Sequence, residues 1–281
     1  MRPLVRRFMP GETLESAMDA VNALKRDGVP VIMTYLGENV SSEAAADDTV
    51  AEYRRLFAAL KSAGADAHVS IKLTQFGWDL DKDHALERVR QCVRIAAEND
   101  TILAIDMEGS EYVKSTVDAY EQLATEFRSV ALCVQAYLHR TPDDLKRLRK
   151  LQPYIRLVKG AYREGPSVAL QARSEIDARY RSLATDLLRA TNTGTRVVFG
   201  SHDVALLEAI RSDARGLGVP DSAFEVQMLY GIQDRGRKQL AASGLKTRVL
   251  ISYGKAWYPW FMRRLAEKPS NLFMIARNLF A

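Results

Sequence analysis

Polar residues able to bind or react recur in this sequence at the ends of short β-branched and aliphatic runs. Lys72 closes one such run, Asp106 and Glu108 follow another, and Gln135 ends a third. Arg156 and Lys159 flank the end of the next, Ser201-His202-Asp203 follows a further one, and Gln227 sits inside the run after that. Polar side chains on buried strands carry a desolvation cost unless they are paired or used. The cations Lys72, Arg156, Lys159, Arg263 and Arg264 outnumber the acids among these positions, which suits anionic ligands carrying phosphate or carboxylate. Arg263 and Arg264 are adjacent, and Glu267 follows at helical spacing from both. Consecutive helical arginines diverge by about 100°, so both reach one small ligand only if it lies across that face. Each residue also has a plain structural reading. Lys72 can pair with Asp106, His202 can cap the next helix, and Glu267 can be an intrahelical ion-pair partner. Repetition at the same end of successive runs favours a shared site.

The elements that must position these residues are legible as an alternation of strand-like runs with helical periods. Strands are expected at 29–36, 67–73, 102–106, 130–136, 155–158, 196–200, 224–229 and 248–251. Helices are expected between them at 50–63, 85–99, 112–127, 142–151, 174–190, 205–217 and 235–243. An early helix at 14–26, with Thr13 or Ser16 as cap, is expected to plug or cover the barrel's bottom, and a last helix is expected at 257–267. Thr141 reads as a cap for a helix that opens Pro142-Asp143-Asp144. About eight strands alternating with helices predict a single-domain (β/α)8 barrel of the α/β class, whose ligands gather at the C-terminal strand ends. A doubly wound open sheet competes, but no strand leads into a Gly-x-Gly-x-x-Gly turn.

With 281 residues, 47% hydrophobic and 27% charged, the chain has ordinary globular composition and is long enough for one large core. No apolar run approaches the roughly 20 residues that cross a bilayer, so the chain reads as soluble and cytosolic. Cys92 and Cys133 read as buried thiols and no Cys/His spacing suggests a metal site. The net charge is +5, with one concentration at Lys146, Arg147, Arg149 and Lys150 that suits either a solvated face or an anionic membrane surface. No aromatic-interleaved basic patch argues for nucleic acid.

Several motifs in order resemble those of proline dehydrogenases: Ser70-Ile71-Lys72-Leu73-Thr74, Ile105-Asp106-Met107-Glu108, Gln135-Ala136-Tyr137-Leu138 and the run 156–162, Arg-Leu-Val-Lys-Gly-Ala-Tyr. Ser201-His202-Asp203, the run 224–231 and Arg263-Arg264-Leu265-Ala266-Glu267 continue the match, which covers the chain from about Glu12 onward. The resemblance implies a distorted β/α barrel holding FAD noncovalently and oxidising L-proline to Δ1-pyrroline-5-carboxylate. Hydride passes to flavin N5 and electrons pass to a membrane quinone. It implies that Lys72, Arg263 and Arg264 hold the substrate carboxylate, that Asp106 sits near the substrate and pairs Lys72, and that Arg156 lies close to flavin N5. Met107, Gln135, Leu157, Val158, Lys159, Gly160, Ala161, Ser201, His202, Gln227 and Glu267 match cofactor-contacting positions, with Gly160 and Ala161 admitting close backbone approach. Tyr162 and Leu229 match the walls of the proline pocket.

Departures from the family fall on that wall. Leu250 and Trp260 stand where tyrosines are usual, and Arg163 replaces a frequent tryptophan. The two missing hydroxyls enlarge, reshape or weaken the pocket and admit hydroxyproline or another cyclic imino acid as substrate. A non-catalytic flavin-binding barrel is a further reading. Outside the family, Lys72 or Lys159 at a strand end would suit a Schiff-base aldolase, and a barrel with structural polar ends would bind no chromophore. The resemblance also implies peripheral contact with the inner face of a membrane and a pyrroline-5-carboxylate dehydrogenase as consumer of the product.

Overall fold

The computed structural model of the chain describes residues 3–266, with side chains from 5 to 263. Eight parallel strands close into a barrel in sequence order: β1 Val31–Tyr35, β2 Ala67–Ile71, β3 Leu103–Ile105, β4 Val130–Gln135, β5 Tyr154–Val158, β6 Arg196–Gly200, β7 Phe224–Leu229 and β8 Thr247–Tyr253. Closure is made by β1 against β8, with Val31 opposite Val249 and Tyr35 opposite Tyr253. Side chains alternate across each strand. Val31, Met33, Val69, Ile71, Leu103, Ile105, Leu132, Ile155, Leu157, Val226 and Ile251 face outward into the main core under the helices. Ile32, Ala104, Ala131 and Leu250 form a separate small cluster inside the barrel.

The helices start where caps allow. α1 is Pro3–Arg6, and α2, Leu14–Arg26, is capped by Thr13 Oγ1, which accepts from the Ser16 N–H at 3.3 Å. α3, Glu43–Ala63, begins after Ser42, whose hydroxyl accepts from the Ala45 N–H, and ends at Gly64 in the left-handed region. α4 is Lys82–Glu98, α5 Ser110–Glu126, α6 Thr141–Leu148, α7 Arg173–Ala190, α8 Val204–Gly216, α9 Asp234–Ala242 and α10 Trp257–Ala266. Thr141 does not cap α6 as expected, because its hydroxyl donates to the Gln135 carbonyl at 2.6 Å. The cap of α8 is Asp203, accepting from the Leu206 N–H, and not His202.

The early helix is no plug. α2 packs against β8 and α3 with Ala17 and Val21 fully buried, so it fills the place in the outer ring between the last strand and the first ring helix. That leaves α10 free to lie across the strand ends. Trp260 and Phe261 pack there on Val5, Phe8, Met9 and Leu36, and the Trp257 indole donates to Glu12. The opposite end is closed by Arg248, 1% exposed, which donates to Glu225 and Asp66. Breaking such a buried pair costs about 3–5 kcal/mol, which fits a structural floor. Burial pushes the neighbouring His68 imidazole down to about 3, so it is neutral.

Candidate active site

Two cations and an unforeseen carboxylate meet at the strand ends. Lys72, immediately after β2, is 7% exposed, and its Nζ lies 3.8 Å from Glu38 Oε1. Arg263 of α10 grips the same carboxylate with both terminal nitrogens, Nη1 donating to Oε2 at 3.1 Å and Nη2 to Oε1. Its guanidinium also lies 5.3 Å from the centroid of the Tyr162 ring. Tyr162 is held in turn through its carbonyl, which accepts from the Tyr137 hydroxyl at 3.1 Å. Gly160, at φ 128°, makes this possible, because a Cβ there would run into the Tyr137 ring. The small residue therefore serves Tyr137 packing. Arg264 lies in α10 with its side chain outside the described residues, and Glu267 lies outside them altogether.

Glu38 takes only two of Arg263's five donors, so the guanidinium keeps donors for a bound carboxylate while its direction is fixed. Replacing Glu38 by Ala is expected to raise the KM for a carboxylate substrate about tenfold with little change in kcat, as an aimed cation loses its anchor. Steady-state kinetics check this. A lowered KM would instead mean that Glu38 competes with the substrate.

Asp106 does not pair with Lys72. Arg156 Nη1 takes it at 2.7 Å, and the Ser70 hydroxyl donates to its other oxygen at 3.3 Å. Arg156 faces the barrel axis from β5 and reaches across to the end of β3. Cys133, opposite Arg156 in register, is pushed up to about 11 by burial and stays a thiol.

Glu108 is 3% exposed and accepts from the Thr74 N–H at 3.2 Å and the Thr74 hydroxyl at 2.6 Å. Burial pushes its carboxyl up to about 7 despite these bonds and the Lys72 charge. Between its ordinary value of 4.5 and about 7 the folded chain holds a proton that the unfolded chain has lost, so stability falls as pH rises through that window. Glu108→Gln is expected to raise the melting temperature at pH 8.5 by several degrees, on the order of 3 kcal/mol, and to leave it unchanged at pH 4. Melting curves at the two values read this directly.

Among the described residues, the buried polar atoms on the barrel strands without a hydrogen-bond partner include Thr34 Oγ1, Gln135 Oε1, Arg156 Nε, Gln227 Oε1 and Ser252 Oγ. Gln135 spends its amide N–H groups on the Met107 and Glu108 carbonyls, and Gln227 donates to Glu225. An unused acceptor on Gln135 and an unused donor on Arg156 suit a flat heterocycle that presents both N–H and acceptor atoms, whereas Gln227 is tied through Glu225 toward the Arg248 end of the barrel. Nearby, Lys159 is bound to Asp177 and, at 3.2 Å, to Asp203, with Arg173 3.9 Å from each acid. In this cluster the two acids balance the two cations, and Asp203 also caps the start of α8, next to Ser201 and His202.

The remaining expected residues divide by position. Val158 faces the axis beside Gly200, whose missing Cβ leaves it room, and Ala161 is half-buried. Met107 is buried. Leu157 faces outward into the core, and its carbonyl accepts from the Tyr180 hydroxyl, so its side chain does not reach the axis. Leu229 touches both the inner cluster containing Leu250 and the top cluster containing Trp260. Trp260 thus docks α10 onto the N-terminal segment. In the basic run at 146–150, Arg147 is bound to Asp118 and Glu121 and Lys150 to Glu121, both acids standing on α5.

Comparison with known proteins bears on this arrangement. A family model described as proline dehydrogenase matches residues 17–276. Proline dehydrogenase 1 of Bacillus subtilis (strain 168) is 35% identical over 274 residues, covering 98% of this chain and 90% of that protein. Proline dehydrogenase of Deinococcus radiodurans is 37% identical over 281 residues, with the same coverage of 98% and 90%. Among solved structures, proline utilization A from Bdellovibrio bacteriovorus, inactivated by N-propargylglycine, matches with a TM-score of 0.86 at 26% identity over 93% of this chain. This chain spans only 32% of that larger protein.

Proposed function

The chain belongs to the proline dehydrogenase family of oxidoreductases, enzymes of proline catabolism, and on that premise we propose that it binds FAD and oxidises L-proline to Δ1-pyrroline-5-carboxylate. The observation that carries this reading is the pair of unsatisfied buried polar atoms on Gln135 and Arg156, taken together with the Lys72, Glu38 and Arg263 cluster. The pair suits the flavin ring edge, while Lys159, Ser201 and His202 match cofactor-contacting positions of the family. Bound FAD supplies the hydride acceptor.

The chain's own residues bind, orient and enclose. Lys72 and Arg263, with Arg264, take the substrate carboxylate, the arginine fork giving direction and the lysine a point charge. Held by that end, the pyrrolidine ring lies against Leu229, Leu250 and Tyr162, which exclude water from its apolar carbons. Loss of a hydride from the ring carbon beside nitrogen and of the N–H proton leaves the C=N double bond. Arg156, balanced by Asp106, would hold a cation against the flavin and favour its reduced form.

Leu250 sits among Ile32, Ala104 and Ala131, an apolar patch against which unsubstituted ring carbons would pack. This favours the unsubstituted ring. Steady-state assays with an artificial acceptor are expected to give a kcat/KM for L-proline at least tenfold above that for 4-hydroxyproline, since burying an unpaired hydroxyl costs about 1–3 kcal/mol. The reverse order would make hydroxyproline the substrate. Electrons go on to a quinone, and the reactive imine passes to a pyrroline-5-carboxylate dehydrogenase. Among the described residues no helix is long and apolar enough to cross a membrane, and we place the enzyme in the cytoplasm with peripheral access to the membrane.

A further inference from the structure

Directly after Lys72 the chain makes a short 3-10 turn, Leu73–Phe76, and inside it Gln75 is 1% exposed. Its Oε1 accepts from the Lys72 backbone N–H at 2.9 Å and lies 3.2 Å from the Tyr53 hydroxyl. Its Nε2 donates to the Tyr35 carbonyl at 2.7 Å. One amide therefore ties the end of β1 to the end of β2, using acceptor and donor together as neither glutamate nor methionine can. Three residues beyond Tyr35 comes Glu38. The loop carrying it is bracketed by the Leu36 N–H on the Tyr253 carbonyl at 2.7 Å and the Val40 N–H on the Thr74 carbonyl at 3.1 Å. Gly37 leaves space for the amide, since a Cβ there would sit 3.3 Å from Gln75 Nε2.

We propose that Gln75 is the positioning residue of the carboxylate-binding group: by joining the two strand ends it sets where Lys72 and the Glu38 and Arg263 pair stand relative to each other. It touches no substrate. The inference rests on the reading that Lys72 and Arg263 receive the substrate carboxylate.

The test uses the flavin-loaded enzyme with two competitors of L-proline, acetate, which offers only the carboxylate, and pyrrolidine, which offers only the ring. In Gln75→Met, the KM for L-proline and the inhibition constant of acetate rise about tenfold, the scale of one buried hydrogen bond at each strand end. kcat and the inhibition constant of pyrrolidine stay within about twofold. Gly37→Ala, which presses on the same amide and keeps every hydrogen-bonding group, shifts acetate and proline the same way by about threefold. Equal weakening of acetate and pyrrolidine, or no change in either, overturns the proposal. Lys72→Met leaving acetate inhibition intact overturns instead the reading beneath it.

Discussion

Arg263→Met is expected to raise the KM for L-proline about a hundredfold, a loss of ~2.7 kcal/mol, while the flavin content of the purified protein stays unchanged. The guanidinium stands at the one place where α10 meets the strand ends, fixed by Glu38 from below and by the Tyr162 ring from the side. Removing it takes away the directional partner of the substrate carboxylate and leaves Glu38 with Lys72 alone, 3.8 Å away. kcat falls far less, because the ring is still enclosed by Leu229 and Tyr162 once proline is bound. Arg263→Lys restores charge without the fork and recovers about half of the lost binding energy. If FAD were lost while proline affinity persisted, the arginine would belong to the cofactor and not to the substrate.

Arg156→Met is expected to act on the other half of the reaction. Its side chain is 13% exposed and bonded to an Asp106 that is 17% exposed. On the proposed placement of the flavin, removing the cation would make it harder to reduce, and kcat is expected to fall by about a hundredfold or more, the scale seen when one aimed donor is lost. It also leaves Asp106 without its cation, which lowers stability by about 3 kcal/mol. Asp106→Asn keeps an acceptor for Arg156 and shows a milder fall in both. Reduction potentials measured against a reference dye, set beside kcat, decide the matter. A large fall in kcat with an unmoved potential would place Arg156 outside the flavin's reach.

The barrel was legible because its strands carry the signal themselves. β6 and β7 lie where the runs at 196–200 and 224–229 predict. β8 runs further, over Thr247–Tyr253, since Thr247 at its start and Ser252 near its end are polar residues that an apolar run does not count. α3 begins at Glu43 and not at 50, because its first turns, Glu43-Ala-Ala-Ala-Asp-Asp, are largely exposed and show no apolar period, and Ser42 was the available signal. The order of polar strand ends foretold where residues gather but not which would bond. Lys72 and Asp106 follow neighbouring strands, yet Arg156 claims the acid from β5. Glu38 was missed altogether: it sits in a loop without periodicity, and Arg263, which holds it, lies 225 positions along the chain. The place of α2 in the outer ring was equally invisible, because the need for it arises only when α10 leaves that position to cover the strand ends.

The central claim, a flavin reduced by proline, is tested most directly by the absorbance spectrum of the purified protein, supplemented with FAD, before and after anaerobic addition of L-proline. The account predicts an oxidised-flavin band that bleaches on addition of L-proline, with no added reductant. A band that persists would contradict the assigned reaction, and a protein that takes up no FAD would contradict the assignment of Gln135 and Arg156 to the cofactor.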